Sequence, residues 1–171
     1  MVICAGGGIS MIDRSLKALF SLIAGLMALA YLVHNLANIG PAYEFFVYIT
    51  SHSDQEAYPV TLLPVPPSPL IVLAMALVFA LELAAGVMLV WGAWKLWSAR
   101  GADSTGFESA KRFAKIGHGC AIANWWGLFQ VIAIAGYQAW QMPAGAGPDH
   151  GSWVYGAINM LALIYLAQKD D

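Results

Sequence analysis

The residue best placed to do chemistry is Glu82, the one charge in "PLIVLAMALVFALELAAGVMLVWGAW", an apolar run long enough to cross a bilayer. A charged side chain at the centre of a membrane helix costs about 2.5–3.5 kcal/mol, so it must be neutralised, paired or turned toward water. At about 1.5 Å per residue, Glu82 lies about 20 Å along its helix, close to the midplane. An antiparallel third helix brings Asn124 to nearly the same depth, and a fourth brings Asn159 to within a turn or two. A protonated Glu82 donating to Asn124 or to a backbone carbonyl would be structural glue, and this is the favoured reading. A Glu82 that exchanges its proton would instead serve a relay, or hold a quinone-like or lipid ligand.

The histidines raise the question of haem, and depth answers it. His34 lies about 28 Å from the start of its helix and His118 only about 8 Å beyond the basic, protruding first turns of the third, so the two sit toward opposite faces and cannot share one haem. His52 and His150 fall in connecting segments with no ligand spacing between them. No metal site is predicted. The cluster "HNLAN", with His34, Asn35 and Asn38, is expected to satisfy the last carbonyls of the first helix and tie down the loop that follows. A small-ligand pocket beneath that loop is the alternative. The two cysteines, Cys4 and Cys120, draw neither a disulfide framework nor a zinc spacing.

Four helices must carry these residues. The chain has 171 residues, of which 60% are apolar and 11% charged, against about 25% charged in a soluble domain. The expectation is an all-α integral membrane four-helix bundle with helices at about 15–38, 69–97, 106–140 and 151–168, forming one domain over 15–171. Residues 1–14 read as a leader or disordered tail, with Met11 as the natural start. Pro69 suits a first helical turn, and "TGFE", Thr105 to Glu108, reads as a capping box opening the third helix.

All eight basic residues fall on one side of this arrangement. By the positive-inside rule both termini are cytoplasmic, and the connections before the second and fourth helices face outward. The first of these, 39–68, begins with "GPAYEFFVYI", suited to a short interfacial helix, and ends in the stiff "LLPVPPSP". It is expected to act as a lid or a docking surface. Small residues at intervals of four, Ala76, Ala80 and Ala84 against Gly119, Ala123 and Gly127, predict a tight contact between the second and third helices. Trp91, Trp94, Trp97, Trp140 and Trp153 read as aromatic belts, whereas Trp125 and Trp126 lie deeper and fill space or face a partner.

The order of features resembles an uncharacterised bacterial family of predicted small four-span integral membrane proteins. The resemblance is carried by "HNLANIGPAYEFFVYI", "FALELAAGVMLVWGAW" and "GFESAKRFAKIGHG", and extends over Met11 to Lys169. It implies the fold and a recurrent glutamate in the second helix, and no reaction.

The small size and the lack of a catalytic constellation favour a non-catalytic accessory subunit of a larger respiratory or other energy-converting complex in a bacterial inner membrane. The partners expected are the bilayer, bound lipid, and a larger complex or further copies of this chain. A net charge of −2 argues against nucleic acid. A small proton-coupled transporter or a quinone- or lipid-binding protein using Glu82 is the alternative, and no cofactor is predicted.

Overall fold

The computed structural model describes residues 6–170. Six α-helices account for most of them: α1 (Gly6–Ala37), α2 (Ile39–Thr50), α3 (Ser68–Ala99), α4 (Ser104–Ala110), α5 (Arg112–Ile122) and α6 (Ala146–Ala167). Between α5 and α6 the helix widens into π turns over Ala123–Gly136, followed by a 3-10 turn at Ala139–Gln141. Three stretches are long and apolar enough to cross a membrane: Met11–Ala37, Ser68–Ala99 and Ser104–Gly136. The expected fourth, α6, is not among them, and it carries Asp149 in its first turn.

The helix starts at Gly6, where a leader or tail was expected up to residue 14. What anchors the start is Arg14, whose Nη1 donates to the carbonyls of Ala102 at 2.6 Å and Arg100 at 3.2 Å. The part of that expectation falling on residues 1–5 lies outside the described residues. The expected capping box is also replaced. Asp103 caps α4 by accepting from the amide of Gly106 at 2.8 Å, while Glu108 turns to Lys111. The third helix ends at Gly136, short of the expected 140.

The long helices contact one another in turn: α1 on α3, α3 on α5, α5 and the π segment on α6, and α6 on α1. The α1–α3 pair is antiparallel in steady register, with Asn35 opposite Glu82, Leu29 opposite Gly86, Gly25 opposite Leu89 and Arg14 opposite Arg100. Leu89 is the central knob. A Cβ at Gly25 would stand 2.9 Å from the Leu89 Cβ, and one at Gly117 of α5 would stand 2.6 Å from its Cγ. Only small residues allow this approach, which is how helices associate where lipid is as apolar as leucine.

The predicted small-residue faces are corrected here. Ala76 and Ala80 are exposed and Ala84 is half-buried, while Gly119 and Gly127 have nothing within 4 Å of an added Cβ. The α3–α5 contact sets Gly92 against Ala114 and Leu89 against Gly117, and Ala85 clusters with Ala121. Several small-residue stripes coexist on helices this rich in alanine and glycine, and spacing alone did not single out the one that packs.

Three of the eight basic residues are buried and bind the ends of the chain together. Lys17 reaches Asp170 at 2.7 Å and the Gln168 carbonyl at 3.0 Å; Lys111 reaches the same two groups at 2.6 and 2.7 Å. Arg14 lies over the Phe107 ring at 4.7 Å. At the other end, the connection 51–67 is sewn to the turn after the π segment. Gln55 donates to the Tyr137 carbonyl at 2.6 Å, and Gln138 donates to the Val60 carbonyl. The Gln141 amide accepts from Ala57 and Tyr58 and donates back to Tyr58.

Candidate functional site

The candidate site begins with Glu82 itself, which is 2% exposed on α3. Its partner is Asn35 of α1, whose Nδ2 donates to both carboxylate oxygens at 3.1 and 3.0 Å. Asn124, the predicted partner, is fully buried, and neither of its amide atoms has a hydrogen-bonding partner among the described residues. It is the second residue of the π segment, and depth along a helix does not say which face a residue presents. Asn35 was missed for a related reason. It is the third residue from the end of α1, so it reads as part of a helix terminus. Yet α3 extends fourteen residues beyond Glu82 toward its own start, so the end of α1 reaches only to the level of Glu82.

Asn159, the third predicted member, is brought to a different partner. Its Nδ2 donates to the Tyr155 carbonyl at 2.9 Å, which leaves its Oδ1 to accept from Nδ1 of His118, also at 2.9 Å. His118 thus joins α5 to α6 through this hydrogen bond, and His34 stands apart from it. The outer cluster is likewise divided: Asn35 turns inward to Glu82, while Asn38 donates to the His34 carbonyl at 2.9 Å.

Above Glu82 and Asn35 is a chamber of about 530 Å³, within the range of small-molecule sites. Its walls are contributed by α1 (Tyr31, His34), Asn38 between α1 and α2, α2 (Phe45, Phe46), the π segment (Trp125, Phe129) and α6 (Ser152, Tyr155). The short α2, twelve mostly apolar and aromatic residues, lays Phe45 and Phe46 against the chamber. Tyr31 and Tyr155 share a hydroxyl hydrogen bond that joins α1 to α6, with ring centroids 4.9 Å apart. Trp125, 4% exposed, sits against both rings, edge-on to Tyr31 at 6.1 Å and tilted over Tyr155 at 5.4 Å. Ser152 is held by Gln130, which donates to it at 2.8 Å and also to Asp149. A second, apolar cavity of about 260 Å³ adjoins the first, sharing Phe45, Phe46, Val78 and Phe129 and continuing toward Pro66, Leu70 and Tyr137.

Sequence reasoning found Glu82, His34, Asn35 and Asn38 but missed Tyr31, Tyr155 and Ser152. Tyrosines and serines in apolar helices are too common to stand out. What could have found Tyr31 is its spacing: it lies four residues before Asn35, on the same face of α1.

All-helical architecture, three helices suited to crossing a bilayer, and polar groups gathered inside apolar helices define an integral membrane protein in contact with lipid. The chain belongs to the family of predicted small integral membrane proteins designated DUF2165, which it matches over residues 13–169. No curated protein and no solved structure matches it.

Proposed function

We propose that this protein crosses the membrane four times and holds a small amphiphilic ligand in the chamber above Glu82. The observation that carries the reading is a buried carboxylate, fixed by one donor, in the wall of a chamber large enough for a small molecule. A carboxylate retained only as glue between two helices needs no cavity beside it.

The four-span part rests on α6. Its 22 residues extend about 33 Å, and beyond its polar first turn it is apolar and packs along α5, the π segment and α1. Residues 18–94 and 116–168 contain no Lys or Arg, so both termini belong on the cytoplasmic side of a bacterial inner membrane. The chamber then lies toward the outer face, with α2 over it.

The test is native mass spectrometry of the protein released from mild detergent. A small-molecule adduct is expected on the wild type and absent from Ala42→Trp, which fills the chamber from the half-buried α2. An adduct of equal occupancy on both would place the ligand elsewhere, and the lack of one would remove the ligand reading.

A second reading, the accessory subunit, is supported by the outer face of α3. Trp91, Trp94 and Trp97 are 45%, 54% and 51% exposed, and Lys95 lies 5.1 Å from each of the first two rings. Three large aromatics on one helix suit a partner helix as well as a membrane interface. Purification at native expression with identification of stoichiometric partners decides it, and loss of any such partner in Trp91→Ala/Trp94→Ala is the expected signature.

A further inference from the structure

We propose that the chamber ligand is an organic cation, an amine or quaternary ammonium whose charged head rests against Glu82 beside Tyr31, Trp125 and Tyr155. This rests on the reading of the chamber as a ligand site and names the chemistry of its occupant.

The first argument is the charge of the wall. Among the residues lining the chamber, Glu82 is the one carboxylate, and no Lys or Arg is present. The other titratable side chains there are His34, Tyr31 and Tyr155. An ionised carboxylate offers about four lone-pair positions, and Asn35 supplies donors from one nitrogen only, so acceptor capacity remains for a ligand. An anionic ligand would meet Glu82 with no compensating cation in the wall.

The second argument is the shape and chemistry of the aromatic groups. Tyr31, Trp125 and Tyr155 are mutually packed, with centroid separations of 4.9 to 6.1 Å, and all three line the chamber together with Glu82. Rings with negative faces attract cations. The hydroxyl bond between Tyr31 and Tyr155 fixes the two rings before any ligand arrives, which lowers the ordering cost of binding. The adjoining apolar cavity, bounded by Phe45, Phe46 and Phe129, provides space for an apolar substituent on the same molecule.

The third argument concerns the field around the site. The chain segments 18–94 and 116–168 hold Glu44, Asp54, Glu56, Glu82 and Asp149 and no Lys or Arg. The chamber therefore sits in the acidic part of a molecule whose basic residues are all gathered at the other end. Such a field concentrates cations and repels anions.

The experiment compares three isosteres on the protein in nanodiscs by titration calorimetry: choline, the neutral 3,3-dimethylbutan-1-ol, and the anionic 3,3-dimethylbutanoate. Choline is expected to bind at least tenfold more tightly than the neutral analogue, with the anion weakest. Glu82→Gln should bring choline and the alcohol to within about threefold, and Tyr155→Leu should weaken choline more than the alcohol. The wild-type order decides the assignment even if a variant does not fold. Equal binding of choline and the alcohol, or preference for the anion, overturns the cation and leaves the ligand chamber standing. No binding by any of the three also overturns the cation, and the chamber itself is then judged by the native-mass adduct.

Discussion

At the scale of single residues, the pairing of Glu82 with Asn35 sets what substitution should do. Hydrogen bonds between membrane helices are worth about 0.6 kcal/mol on average and up to about 1.7. Asn35→Ala should therefore lower stability by roughly that amount. In a double-mutant cycle with Glu82→Gln the two effects should be less than additive, whereas Asn124→Ala combined with Glu82→Gln should be additive. Thermal unfolding in one detergent provides the readout. Coupling to Asn124 in place of Asn35 would contradict the geometry. The glutamate itself was legible in the sequence because a lone charge in an apolar run is conspicuous. Its partner was not, because depth had to be counted along straight helices from assumed starting points. Asn35 reaches Glu82 through the offset between α1 and α3, and depth alone does not say which face Asn124 presents.

At the scale of elements, the existence and order of the long helices followed from hydropathy, and α2 from its aromatics. Which faces meet did not follow, because small residues are abundant on every face. The close approach of α3 to α5 gives the sharpest test. A Cβ at Gly92 would stand 2.5 Å from the backbone nitrogen of Ala114, an atom that cannot move without its helix. Gly92→Val should cost about 1–3 kcal/mol, the usual range for overpacking, while Gly119→Val, in open space, should cost far less. The cap of α4 discriminates in the same way. Asp103→Ala should cost about 0.5–2 kcal/mol and Thr105→Ala much less, since Asp103 alone of the two accepts from the Gly106 amide. Circular dichroism melts of the four variants decide both questions.

At the scale of the whole molecule, the two ends are built on different principles. The basic end is closed by ions. Burial pushes the Asp170 carboxyl up, but hydrogen bonds and charge from Lys111 and Lys17 more than reverse this, so it lies below the usual carboxylate range. A carboxyl depressed in the folded state stabilises the fold above its unfolded value of about 3.9, and that stability is lost as pH falls through the folded value. The melting temperature of the wild type should therefore fall below about pH 4 more steeply than that of Asp170→Asn. At pH 7 the variant should be weaker by on the order of 3 kcal/mol, the scale of a broken buried pair. The opposite end is closed by neutral amides, Gln55, Gln138 and Gln141, and should show no such dependence. Reporter fusions at Gly101 and after Asp170 should share one side of the membrane, opposite to fusions at Glu56. The knob between these ends has a mechanical meaning. Leu89 is seated in a glycine notch on each side, at Gly25 and at Gly117, and works as a dowel through three helices. Axial sliding of α1 or α5 past α3 would have to lift that side chain out of both notches. Close-packed interfaces switch between discrete seatings and do not deform smoothly. Motion is thus left to what lies beyond the dowel, including α2, the first half of α3 and the π turns, which supply part of the chamber's wall.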